Sequence, residues 1–348
     1  MATLKDIAEC AGVSISTVSR VLNGTAPISA KVKQQILAIA AEQGYPLYKL
    51  AKPVPEATEP LRHVLLVAPR NLMLESDYNL VSLSLINALK ALCVQRNIRL
   101  RPFPAENDAI TEDQLIAALQ GGRQSGILIV NDDRAPLLQA VVKSGMSAVL
   151  INGEDPSMCL NSVMPANYPA AACAVRHLIE HGHRRILHLT WSSCITIKQR
   201  ERGYRDALLR AGIAVDESLI LSLPDFHPLT ARDAMLRWLS AHPDRLGVTA
   251  IFCAADNQAV GVVDALAQRG IRVPDDISLV GMDNILPLDM LPVSLTTMHL
   301  PLDAVARAAL QLLTQQLVPA QSLGVTQHVE LAGRLVARES VKPLNTLA

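Results

Sequence analysis

"TLKDIAECAGVSISTVSRVLNG", residues 3–24, contains two short helical patterns separated by a glycine. Thr3 is placed to cap the first. Asp6 then sits in the first turn, on the favourable side of the helix dipole, and Ile7 and Ala8 supply an apolar face. Gly12 stops that helix in a left-handed conformation, Ser14 caps the second, and Gly24 ends it. Two helices of roughly eight residues joined by such a turn make a helix-turn-helix. Ala8, Val18 and Leu22 form its inward face.

A third helical pattern runs over 29–43 and stops at Gly44, with Val32, Ile36, Ile39 and Ala40 at helical spacing. It completes a small three-helix core. The second helix then turns Ile15, Ser16, Ser19 and Arg20 outward. Hydroxyls near a helix N-terminus suit phosphate oxygens, and an arginine can address a guanine edge with two hydrogen bonds. Composition alone equally permits a solvated, serine-rich cap on an ordinary helical hairpin.

The whole chain has 348 residues with 32 basic and 32 acidic side chains, which hides an asymmetry. Residues 1–52 carry six basic groups against three acidic, so the amino end is +3 and the remainder −3. A basic end on an acidic body points to an anionic partner for that end. No apolar run approaches the ~18 residues of a membrane helix, and the amino end lacks a signal-peptide pattern, so a cytoplasmic protein is expected. The six cysteines (10, 93, 159, 173, 194 and 253) include no CxxC pair and read as reduced, mostly buried thiols.

From Arg62 the pattern changes. "HVLLVAP", "IRLRPF", "GILIVN" and "SAVLIN" are short apolar runs separated by helical stretches at 79–95, 111–120 and 135–144. The alternation repeats from "AAACAVRHLIEHG" to "SLVGMD". Continuous apolar strands alternating with helices imply parallel sheets covered on both faces. The fold expected is an all-α headpiece followed by two doubly wound α/β lobes, with ligands held in the cleft outside the strand carboxyl ends.

The run D-I-A…AGVS…TVSRVLN and the later Tyr45 closely resemble the headpiece of the LacI/GalR family of bacterial transcription regulators. The segments "HLIEHGHRRI", "TAIFCAAD" and "GIRVPDDISLVGMDN" resemble that family's effector domain, which is similar to periplasmic sugar-binding proteins. The resemblance implies a homodimer on a palindromic operator, with no cofactor and no enzymatic activity. It implies phosphate contacts from Thr3, Ser14, Thr17, Ser19 and Ser29, and base reading by Ile15, Ser16 and Arg20. Asn23, Lys31 and Tyr45 belong to the same DNA-facing set. Tyr78, Asn131, Arg200, Phe226, Asp256 and Asp283 fall at effector-contacting positions. Without the family, Asp256 reads as a cap on the following helix, and Arg200 as the partner of Glu201 or Asp206 on a wet surface. Ala166 and Ala255 stand where the family commonly has polar residues, which implies an effector smaller, less hydroxylated or differently placed than a simple hexose: a pentose sugar, sugar acid, modified sugar or nucleoside.

The domains expected are a headpiece at 1–45, a linker at 46–61 and a body at 62–341. The lobes comprise about 62–164 with 296–323 and about 167–292 with 324–341, the chain crossing near 164–167, 292–296 and 323. In the linker, Val54 matches a leucine that the family inserts into the minor groove. Pro53 and Pro55 flank it, and a proline inside a helix costs ~3 kcal/mol, so a shortened or absent hinge helix is expected. His177, Glu180 and His181 spell a zinc-peptidase string, but Gly182 ends the helix there and no distant ligand is recognisable. A solute-binding protein of the periplasmic type is the alternative reading. The missing export signal and the headpiece oppose it.

Overall fold

In this computed structural model the residues described are 4–23, 32, 35–36, 39–40, 61–69, 79–105, 124–191, 194–287, 290–317 and 325–344. The chain divides into two units, Met1–Thr58 and Glu59–Ala348.

In the first unit, helices α1 (Leu4–Ala11) and α2 (Ile15–Asn23) flank Gly12, whose φ of 64° makes the tight turn. Ser14 caps α2, its Oγ accepting the Thr17 amide at 3.1 Å. Ile7, Ala8, Val18 and Val21 close on Ile36 and Ala40 of the third helical segment, a core assembled from helix-spaced apolar residues. The Leu22 side chain, the 46–60 part of the linker and the expected helix at 111–120 lie outside the described residues.

The second unit has two sheets. The first runs β11 (His328–Leu331), β5 (Asn161–Pro165), β4 (Ala148–Ile151), β3 (Ser125–Val130), β1 (His63–Pro69), β2 (Arg99–Ala105), and every pairing is parallel. Its central strands are buried throughout, the pattern of a sheet covered on both sides. Helices α3 (Leu80–Gln95) and α9 (Leu302–Gln316) pack on one face and α4 (Ala135–Lys143) on the other.

The second sheet runs β12 (Arg334–Val336), β10 (Thr296–His299), β9 (Ser278–Asp283), β8 (Ala250–Cys253), β6 (Ile186–Trp191), β7 (Ile220–Leu223). Only β12 is antiparallel to its neighbour among the described pairs. Helices α5 (Asn167–Glu180) and α6 (Ile195–Arg210) cover one face; α7 (Pro228–Ala241) and α8 (Asp256–Gln268) cover the other.

Two expected boundaries move. The second crossing was placed near 292–296, yet β10 pairs with β9 and belongs to the second lobe, so the chain crosses at 300–302. The third was placed near 323, yet β11 pairs with β5 in the first lobe, so the chain crosses at 332–333. In each case backbone pairing extends a sheet through a segment too short to announce itself. The cysteines also differ from expectation. All six are free thiols, but only Cys93 and Cys253 are buried, while Cys10 and Cys159 are exposed. Burial pushes the Cys93 thiol up to about 11.

Candidate functional site

Both sheets place their first strand between the second and third, so their strand orders reverse at β1/β3 and at β6/β8. At such a point neighbouring connections leave on opposite faces and open a crevice beyond the strand carboxyl ends. The two crevices share one cavity of 310 Å³, lined by Pro69 and Asn131 from the first lobe and by Trp191, Ala255 and Asp283 from the second. That volume lies in the range of small-molecule sites.

Four expected effector residues meet there: Asn131, Arg200, Phe226 and Asp283. Asn131 leaves β3 with a φ of 52°, and its Nδ2 donates to Ser82 Oγ at 3.0 Å. Arg200 belongs to the buried stripe of α6 with Ile197, Tyr204, Ala207 and Leu208. Its Nη2 lies 2.9 Å from Asp283 Oδ1, its Nε donates to Asn167 Oδ1 at 2.9 Å, and its Nη1 donates to the Ala254 carbonyl. The arginine is thus no surface partner of Glu201 or Asp206. Phe226 packs against Trp191, ring centroids 5.4 Å apart, giving an aromatic wall. Tyr78 lies outside the described residues.

Asp256 departs from both readings given to it. It does not line the cavity, and it does not cap α8 from outside, because it is the first residue of that helix. Its buried carboxylate accepts from Thr297 Oγ1 at 2.7 Å and from the Asn284 amide at 2.7 Å. The neighbours Ala255 and Asn257 face the cavity instead. Burial, reinforced by the Asp283 charge, pushes the Asp256 carboxyl up to about 8. Burial also raises Asp283, although Arg200 pulls it the other way.

Further lining residues were not singled out from sequence: Asn79, Ser82, Asn152, Asn167, Thr196 and Asn257. Each is a small polar residue close to a strand or helix end, which is the one signal that marks them. Cys194 also lines the cavity and contacts Thr196 Oγ1 at 3.2 Å.

In the headpiece, Ile15 is 48% exposed at the start of α2, beside exposed Ser14 and Ser16. Thr17 and Ser19 are half-buried on the same helix. The Ser14 hydroxyl lies 2.8 Å from those of Ser16 and Thr17. Thr3, Ser29, Lys31, Tyr45 and Val54, and the side chains of Arg20 and Asn23, lie outside the described residues.

The histidine string holds no metal geometry. His181 ends α5 with Nδ1 at 2.8 Å from the His177 carbonyl, and His183 is buried against Thr249 and the Lys342 carbonyl. Among the described residues no cluster of His, Cys, Asp and Glu is arranged to hold a metal, and no helix is long and apolar enough to cross a membrane.

Residues 3–46 match the bacterial regulatory proteins of the lacI family, and residues 175–341 match a periplasmic binding protein-like domain. Over 349 residues the chain is 28% identical to the HTH-type transcriptional repressor PurR of Mannheimia succiniciproducens, covering 99% of this chain and 100% of that one. It is 29% identical to the HTH-type transcriptional regulator DegA of Bacillus subtilis, covering 99% of each. Among solved structures, a complex of the transcriptional regulator CelR with cellobiose superposes with a TM-score of 0.69 at 25% identity, over 98% of this chain and 100% of that one. Two-lobed architecture, headpiece and relatives agree: the chain belongs to the LacI family of bacterial regulators. It is a DNA-binding transcriptional repressor with an effector-binding body, not an enzyme.

Proposed function

We propose that this protein acts as a cytoplasmic homodimer on an inverted-repeat operator, and that a neutral sugar in the cavity controls its affinity for DNA. The carrying observation is the single cavity shared by both strand-order reversals, since a molecule seated there touches both lobes.

Charge and hydrogen bonding narrow the ligand. Arg200 and Asp283 are the only charged residues among the described lining, and they neutralise one another. The guanidinium is already bound to three protein groups, which disfavours a sugar acid. Asn152 Oδ1 is buried without a hydrogen-bond donor, so a fitting ligand brings a hydroxyl. The Trp191–Phe226 wall suits a ring's apolar face. A relative that carries cellobiose supports the same class. The exposure of Ile15 supports apolar contact with a thymine methyl.

Thermal-shift screening of neutral sugars, sugar acids and nucleosides tests the ligand class. A true ligand at a hundredfold excess over its Kd stabilises by about 2.7 kcal/mol. Only neutral sugars are expected to act; a response confined to acids or nucleosides rejects the proposal. Footprinting on inverted-repeat promoters tests the DNA arm. Affinity is expected to fall steeply with salt, and Ile15→Ala to weaken operator but not random DNA.

A further inference from the structure

Asp283, whose carboxylate meets Arg200 in the cavity, has a backbone that L-residues rarely adopt. Its φ is 112°, and Asn284 follows at 57°. Two successive left-handed residues need an external support. Asp256 supplies it from the far side. Its Oδ2 accepts the Asn284 amide at 2.7 Å and the Ile285 amide at 3.4 Å, while its Oδ1 contacts Thr297 Oγ1 on β10. A Cβ at position 281 would come within 2.2 Å of that Oδ1, so glycine there makes room for the carboxyl. A cavity of only 20 Å³ lies behind the turn, where Arg338 bridges Asn284 Oδ1 at 2.8 Å and the Leu295 carbonyl at 2.6 Å. The turn bearing Asp283 is therefore tied to β10, the strand that leads into the crossing at 300–302.

We propose that Asp256 is a positioning residue of the effector site: its carboxyl holds the Asp283–Ile285 turn against β10, so effector affinity depends on a side chain that does not touch the effector. This rests on the reading of the cavity as the effector site. The charged and titratable groups about Asp256 are Asp283, itself paired with Arg200, Arg338 in the small cavity beside it, His299 on the far side of Asn284, and Cys253 on β8. With Arg200 committed to Asp283 and Arg338 to Asn284 Oδ1 and the Leu295 carbonyl, no ion pair among the described residues balances a second buried negative charge, which favours the proton on Asp256. Thr297 accommodates it, because a hydroxyl both donates and accepts. Burial and the Asp283 charge place its loss at about pH 8. A ligand that seals the cleft removes water from this pair and raises the cost of ionising Asp256, so affinity falls above that pH.

The test compares Asp256→Asn, an isostere of the protonated acid, with Asp256→Ala in the full-length chain. Without ligand, amide exchange over 283–286 is expected to match wild type in Asp256→Asn and to accelerate about tenfold in Asp256→Ala, a tenfold change corresponding to one decade in the opening equilibrium. Calorimetry with ribose and cellobiose as probes is expected to show wild-type affinity declining above pH 8 and a flat profile in Asp256→Asn. Unchanged exchange in Asp256→Ala, or an Asn variant as impaired as the Ala variant, overturns the proposal. Should neither sugar bind wild type, the neutral-sugar reading fails, while the exchange experiment still decides the role of Asp256.

Discussion

Arg200 shows how a single side chain was readable and misread at once. Its spacing from Ile197, Tyr204 and Ala207 puts it on the buried stripe of α6, which periodicity alone could reveal. Composition instead favoured a wet surface, because arginines are seldom buried. Arg200→Met leaves Asp283 buried and unpaired, and is expected to cost about 3–5 kcal/mol in urea unfolding. Adding Asp283→Asn is expected to recover much of that loss; a purely additive double mutant would show that the pair is not coupled. Asp256 was not readable in the same way. Its partners lie 28 and 41 residues away, and only the fold decides that the carboxylate turns from the cavity to the back of the Asp283 turn.

At the scale of elements, the headpiece and the central strands were legible because their apolar periodicities are strong. The edges were not. Strand β11 alternates exposed and half-buried residues, and β10 is short with a polar first half, so neither resembles the apolar runs of the sheet centres. Both owe their place to a neighbour's hydrogen bonds. Helix pairs carry sharper information: a Cβ at Gly261 of α8 would lie 2.0 Å from the Pro228 carbonyl of α7. Gly261→Ala must push the two helices apart, and is expected to lower stability by about 1–3 kcal/mol. The loss should appear in the denaturant midpoint, with no change in the secondary structure seen by circular dichroism.

For the molecule as a whole, two buried groups give opposite pH signatures. Burial pushes His188 from its ordinary 6.5 down to about 4, so the unfolded chain takes up this proton first as the solution is acidified. Its contribution is present above pH 6.5 and is lost as pH falls toward 4. His188→Gln is therefore expected to remove that acid-side loss, wild type falling faster by about 1.4 kcal/mol per pH unit. Asp256 runs the other way. Its folded form holds a proton up to about pH 8 that the unfolded chain releases near 3.8, so its contribution declines as pH rises between those values. The stability of Asp256→Asn relative to wild type is thus expected to climb between pH 4 and pH 8, as followed by thermal melts in a buffer series. A constant difference would place the proton elsewhere.

The matched strand orders of the two sheets give each lobe its own side of the cavity. Because each half supplies its own share of the walls, an occupant of the proposed effector site would work as a crosslink, its message the fastening of one half to the other. A fragment able to satisfy only Arg200, Asp283 and the aromatic wall would sit in place without joining anything. Such a molecule would keep the true signal out while leaving promoter occupancy where it was, an antagonist made simply by being too short.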